Sequence, residues 1–394
     1  LPLSETPSEQ PDGSSSSMLS LYVHIPFCRS RCSYCDFYLV TATKHVEAFF
    51  RALALETAFR APMLQGRTIS AIHFGGGTPS MVPVHCLAGW LEQVAALCTF
   101  SPDIEIALEA NPEDLAAGVM EEMRAVGITR LSIGLQSFTD EKLRALGRAH
   151  TALESMQVTE RALKQFDSVS VDLICGVPGE QMPLWKADLE QAVRLRPQHI
   201  SVYMLSVEPK TLLHRNLMNG SITVPDESVQ ADLYEYAGRK LGEEGYHHYE
   251  VSNFCLGNHH SRYNLASWKR QPYIGFGPSA HSFYCSGWRE IRTANVSALS
   301  RYIADPAAAE SFREELTDEE IFTEKVFLAL RINSGLCVEF LRKDNKLGLR
   351  LSERIARFEA KGWIRLAEER LYLTEKGFLF ADLIAGDLIF GQAY

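Results

Sequence analysis

The chain has 394 residues, 46% hydrophobic and 22% charged, a globular composition that excludes a disordered or collagen-like polymer and has length for roughly two to three structural units. Lys and Arg number 39 against 49 Asp and Glu, a net charge of −10, which argues against a general binder of DNA or RNA backbones. No run reaches the roughly 18 apolar residues a membrane-spanning helix needs, and the N-terminus lacks a secretory pattern, so a soluble, cytoplasmic protein is expected.

Residues 1–17 are rich in Ser, Pro, Glu and Gln and are expected to be a disordered tail, with the folded protein starting at Met18. From 18 to 206 short β-branched runs alternate with segments of helical period, the pattern of repeated βα units on a parallel sheet. Strands are expected at 19–25, 68–74, 104–109, 130–134, 169–174 and 199–205. Helices fall at 46–60, 84–96, 115–126, 141–146 joined to 153–164, and 184–195. Six right-handed units predict an incomplete (βα)6 TIM-like barrel with ligands at the C-terminal ends of its strands.

The alternation stops after Ser206. An α+β extension is expected over 207–317, with a helix at 229–243 and a Tyr/His-rich strand at 246–253. Residues 318–394 predict a winged-helix-like domain: helices at 319–331 and 351–361, then a hairpin over 363–373. Glu353, Glu359, Glu368 and Glu369 favour a docking or lid role there over DNA binding.

Nine cysteines, an odd and unevenly spaced set, point to reduced thiols or a metal site. Cys28, Cys32 and Cys35 form C-x3-C-x2-C directly after the first expected strand, a spacing that chance supplies only ~0.005 times per chain of this cysteine content. Three thiolates on one loop can hold three irons of a cubane cluster and leave the fourth open. Zinc is the alternative, but a closed zinc site wants a second C-x2-C pair, which is missing. Arg29 and Arg31 are expected to offset the cluster's charge. Gly75-Gly76-Gly77-Thr78-Pro79 follows the second strand and lets backbone approach a ligand closely, although a plain turn or a phosphate loop without its lysine reads the same way. Glu109, Gln136, Asp172 and Ser206 stand where the third to sixth strands end, with Arg148 after the fourth, a graded polar series on one barrel face. Cys86, Cys98, Cys175, Cys255, Cys285 and Cys337 are expected to be buried thiols.

With these residues in view, the cysteine loop and glycine loop resemble those of the radical S-adenosylmethionine superfamily. That resemblance implies a [4Fe-4S] cluster on Cys28, Cys32 and Cys35, with S-adenosylmethionine contacted by Tyr22, Gly76, Gly77, Thr78, Glu109, Gln136, Arg148, Asp172 and Ser206, and with Tyr34 against its adenine. Leu-Tyr-Val-His-Ile-Pro-Phe-Cys, Glu-Ala-Asn-Pro, Ser-Ile-Gly-Leu-Gln-Ser-Phe, Asp-Leu-Ile-Cys-Gly-Val-Pro-Gly and Tyr-Ile-Gly-Phe-Gly-Pro-Ser-Ala-His narrow it to the anaerobic coproporphyrinogen III oxidase family, the HemN/HemW group. The oxidases of that group carry a further Cys two residues past the loop and a longer N-terminal segment. Here that position is Phe37, which is similar to the heme chaperone branch.

The chaperone branch usually has His-Asn-x-x-Tyr-Trp before its Gly-rich segment, where this chain reads Tyr263-Asn264-Leu265-Ala266-Ser267-Trp268. His281, and behind it His259 and His260, are therefore the candidate heme ligands, imidazole being a common axial donor. The resemblance implies a heme chaperone that passes heme to an acceptor protein. An oxygen-independent coproporphyrinogen III oxidase or another radical enzyme with an external electron donor is the alternative, and a cluster-based redox regulator is a third reading that the acidic balance opposes.

Overall fold

The computed structural model describes residues 18–342 and 351–391; the expected tail at 1–17 lies outside them. Six parallel strands form in chain order, β1 (Met18–Ile25), β2 (Thr68–Gly76), β3 (Thr99–Ala110), β4 (Arg130–Gln136), β5 (Ser168–Cys175) and β6 (His199–Met204). Between them run α1 (Val46–Phe59) and α2 (Ala61–Leu64), α3 (Val84–Ala95), α4 (Ala117–Ala125), α5 (Asp140–Leu146) and α6 (Ala152–Gln165), and α7 (Met182–Leu195). Each strand pairs with the next in register, Leu21 beside Ile72 and Val171 beside Ile200 among them. The expected incomplete (βα)6 barrel is therefore present.

Alternation decides which way each side chain points. Leu21, Val23 and Ile25 face outward and are buried under the helices, with Phe49, Leu53, Leu87, Trp90, Trp185 and Leu189 in one core. Fully burying a side chain of this size contributes roughly 1.5–3 kcal/mol, and Trp90 also donates to Thr57 Oγ1 at 2.9 Å. The other face of β1 carries Tyr22 and His24 into the barrel. Thr151 starts α6 with a reciprocal bond to Glu154, a capping box that satisfies otherwise unpaired N–H groups.

The extension contains α8 (Leu212–Met218), α9 (Glu227–Glu243), β7 (His247–Glu250), β8 (Asn253–Cys255), α10 (Arg262–Trp268), β9 (Tyr273–Phe276), β10 (His281–Ser286), β11 (Arg289–Asn295), α11 (Leu299–Ala304) and β12 (Glu310–Glu315). The strand expected at 246–253 is instead a hairpin: the chain turns at Val251 and Ser252, and β8 pairs with both β7 and β6. The Tyr/His alternation ran across the turn and concealed it. Strands β9 to β12, none of which had been expected, add to the other side of β1, giving a twelve-stranded sheet in the order β12-β11-β10-β9-β1-β2-β3-β4-β5-β6-β8-β7. The segment from β8 to β9 thus crosses from one side of the barrel to the other, with α10 packed on β1 and β2.

The C-terminal unit comprises α12 (Asp318–Ala329), β13 (Leu336–Cys337), α13 (Val338–Arg342), α14 (Leu351–Ala360), β14 (Ile364–Ala367), β15 (Arg370–Leu373), α15 (Glu375–Phe378) and α16 (Ala381–Phe390). A three-stranded sheet, β13-β15-β14, and a core of its own with Val326, Leu341, Phe358, Leu371 and Ile384 make it winged-helix-like. It is tied to the extension by His248 Nδ1 and Glu375 Oε2 at 2.6 Å.

Candidate functional site

A cavity of about 450 Å³ opens at the C-terminal ends of β1 to β6. The cysteine loop forms one wall because β1 stops at Ile25, and Val40 returns to pair with Pro26 and Cys28, leaving Cys28, Cys32 and Cys35 on the intervening turn. Thr78 Oγ1 lies 3.1 Å from the buried Cys28 Sγ, and Arg148 Nη1 donates to Cys32 Sγ at 3.4 Å. Burial pushes the Cys28 thiol up to about 11 and raises that of Cys35. A bound cation would reverse that cost by stabilising thiolate. Among the described residues no group of three His, Cys, Asp or Glu is placed to hold a single metal ion; the three thiols line the same cavity.

The glycines act through backbone contact. Gly76 has φ +108 and an added Cβ would lie 2.7 Å from the His24 ring, while a Cβ on Gly77 would lie 2.6 Å from the carbonyl of Phe27. The Gly77 and Thr78 amides donate to the carbonyls of Ile25 and Phe27. This loop is therefore pressed against the backbone that leads into the cysteines, and its freedom from side chains serves that approach.

Glu109 accepts from the Gly76 amide at 3.3 Å and meets His73 Nε2 at 2.9 Å. Asp172 lines the floor and accepts from Ser132 and Ser170. Desolvation, with the Glu109 charge adding, pushes its carboxyl up to about 6 against the hydrogen bonds from Ser201, Ser132 and Ser170. Tyr34, Gly76, Gly77, Thr78, Glu109, Gln136, Arg148, Asp172 and Ser206 all line this one cavity with the three cysteines.

Tyr22 does not line it. Its ring lies deeper in the barrel, stacked on His73 and Tyr263, with the hydroxyl 3.3 Å from His24 Nδ1; inward direction alone does not say at which height a residue sits. Of the two arginines of the cysteine loop, Arg29 pairs with Asp114 at 2.5 Å, whereas Arg31 donates to the carbonyls of Cys35 and Phe37 and its charge favours the Cys35 thiolate. Arg148 is the arginine whose guanidinium meets a cysteine sulfur. Cys285 is exposed, and Cys86, Cys98 and Cys337 are only partly covered; of the six further cysteines only Cys175 and Cys255 are buried as expected.

The histidines separate. His281 is exposed at the start of β10, in the turn that follows β9. That turn lies at the same end as the cavity, since β9 runs parallel to β1. His259 and His260 lie at the opposite end, where their carbonyls receive Arg130 Nη1 at the start of β4.

Asn111 was missed. It donates to Thr78 Oγ1 at 3.3 Å and accepts from Arg148 at 2.6 Å, linking three loops of the cavity; its place in Glu-Ala-Asn-Pro was the available signal. Lys142 was missed as well. It is buried between Glu180, Asp188 (2.6 Å) and the Ile174 carbonyl (3.2 Å). Asp188 in turn receives Ser137 and the Phe138 amide, which holds the loop after Gln136.

Residues 22–192 match the model of the radical SAM superfamily, and residues 316–380 that of the HemN C-terminal domain. A parallel barrel with a cysteine loop after its first strand is thus a radical S-adenosylmethionine domain, and that superfamily implies a [4Fe-4S] cluster and S-adenosylmethionine. The chain belongs to the HemW heme chaperone family: it is 34% identical over 381 residues to "Heme chaperone HemW" of Bacillus subtilis, covering 94% of this chain and 98% of that one. It is also 37% identical over 345 residues to "Radical S-adenosyl methionine domain-containing protein 1, mitochondrial" of Bos taurus, covering 85% and 78%. The fold is shared with coproporphyrinogen III oxidase (HemN) from Escherichia coli, with a TM-score of 0.81 at 23% identity over 96% of this chain and 91% of that one. No helix among the described residues is long and apolar enough to cross a membrane.

Proposed function

We propose that this chain binds heme and passes it to an acceptor protein, and that the cavity at the barrel mouth holds the cluster and S-adenosylmethionine. Near full-length similarity to a heme chaperone is the observation that carries this reading. Cys28, Cys32 and Cys35 would hold the cluster, and Arg148 would offset thiolate charge at Cys32. Glu109 and Asp172 would accept hydrogen bonds from the cofactor, with Tyr34, Gly76, Gly77, Thr78, Gln136 and Ser206 as walls. When bound, the cluster and cofactor together supply one-electron chemistry.

Phe37, 64% exposed at the cavity, offers no thiol where the oxidases of the group carry one. His281 is the proposed axial ligand because it is exposed at the mouth end. The boundaries 18–206, 207–317 and 318–394 remain the proposed division of the chain. The test is a heme titration of anaerobically reconstituted protein. A Soret band that survives gel filtration and shifts in His281→Ala is expected, without conversion of coproporphyrinogen III. Turnover of that porphyrinogen with release of carbon dioxide would overturn the reading.

A further inference from the structure

A second cavity, of about 320 Å³, lies on the seam between the crossing segment and the C-terminal unit. Its apolar wall is Trp268, Ala329, Ile332, Leu336 and Phe340, and its polar rim is Lys269, Arg270, Lys325 and Arg370. Among the described residues no Asp or Glu lines it. Arg270 is neutralised by Glu290 at 2.7 Å and Glu324 at 2.5 Å, and Glu324 is further taken up by Arg292. Arg370 is held in place by the carbonyls of Ser334 (2.8 Å) and Gly335 (2.7 Å), which fix its direction, and no carboxylate pairs with it among the described residues. Lys269 and Lys325 are exposed and form no ion pair among the described residues.

The rim is built rather than incidental. Gly335, at φ +65, would place a Cβ 2.6 Å from the Leu371 carbonyl, so the turn from Ser334 is pressed onto β15. The other side is fixed by Arg331, whose guanidinium lies 5.4 Å from the centre of the Trp268 ring. Lys269, Lys325 and Arg370 have no carboxylate partner among the described residues. Even against the one excess carboxylate of the network of Arg270 and Arg292 with Glu290, Glu314 and Glu324, they leave net positive charge over an apolar floor, in a chain of net charge −10, a local field that selects anions. The floor selects those with an apolar body.

We propose that this seam cavity binds an apolar molecule bearing carboxylate groups, its body against Trp268 and Phe340 and its carboxylates on Lys269, Lys325 and Arg370. Two sources have that chemistry. One is a porphyrin with its propionates, at a site apart from His281, which does not line this cavity; it rests on the heme-carrier reading above. The other is a fatty acyl carboxylate, which does not rest on it.

The test titrates the full-length, cluster-reconstituted protein with metal-free protoporphyrin IX, its dimethyl ester and dodecanoate. Tryptophan fluorescence is followed, with Trp268→Phe as the control for which ring reports. Saturable binding is expected, and it should weaken about tenfold or more in K269E/K325E; these exposed substitutions spare the fold. For a porphyrin, esterification should cost a similar factor. A response to protoporphyrin alone assigns the porphyrin source, and a response to dodecanoate alone assigns the acyl source. Binding that is indifferent to charge reversal, or an ester as tight as the free acid, overturns the proposal. A wild-type protein that binds heme but gives no saturable Trp268 response to protoporphyrin or dodecanoate removes this cavity and leaves the carrier reading. A wild-type protein that binds dodecanoate at the seam but no heme removes the carrier reading and leaves the cavity.

Discussion

Both ends of the barrel carry polar side chains, but among the described residues only the mouth arranges them around an open space. At the N-terminal end Arg130 pairs with Glu105 at 3.3 Å and donates to Ser168 and the His259 carbonyl. His199 bridges Ser170 at 2.7 Å and the Tyr249 hydroxyl at 2.9 Å. Burial and the nearby Arg130 hold that imidazole well below its usual value, so it stays neutral and can accept one bond while donating the other. These groups bond mainly to one another, with Arg130 Nη2 left without a partner among the described residues. At the mouth Cys32, Glu109, Gln136, Arg148 and Asp172 also have partners, yet they border a shared space that a ligand can enter. What separates the two ends is that open space, not the number of bonds each side chain makes.

Substitutions should separate the two ends cleanly. The largest effect is expected for Cys32→Ala, which should abolish cluster assembly, read by iron and sulfide analysis and by loss of the iron–sulfur absorption, while leaving the thermal unfolding of the apoprotein nearly unchanged. An intact cluster in that variant would end the assignment of the cysteine loop. Next, Arg130→Ala should do the reverse. Breaking a buried ion pair leaves Glu105 uncompensated and should cost about 3–5 kcal/mol of stability, measured by urea denaturation, with cluster absorption retained in the folded fraction. If cluster loading falls and stability does not, the division between the ends is wrong.

The smallest effect sharpens the comparison within the mouth. Asp172→Ala should weaken S-adenosylmethionine by about 1–3 kcal/mol in calorimetry of cluster-loaded protein. A carboxyl pushed up to about 6 accepts bonds from a ligand hydroxyl as carboxylate, so affinity should hold above neutrality and fall as pH drops through that value. One unit below, about a tenth of the carboxylate remains, and affinity should be down about tenfold. A profile that is flat in the wild type, or unchanged in Asp172→Asn, would remove Asp172 from the cofactor contacts.

Periodicity made the first half of this protein readable. Each βα unit carries its own signal, a buried run of period two followed by a helical stripe, so all six strands and their helices stand close to where local pattern puts them. The cysteine spacing likewise puts three candidate ligands on one loop without reference to the rest of the chain. What only the tertiary structure decided depends on contacts far apart in sequence. The pairing of β9 with β1, the turn hidden in the Tyr/His stretch and the depth of Tyr22 are of this kind. So are the choice of Arg148 over Arg29 to face a cysteine sulfur, and the opposite placement of His281 and His259. A side chain's neighbours along the chain set its direction; its height in the barrel, and which charge has already been taken by a partner such as Asp114, are set by strands and loops that meet only after the chain has folded.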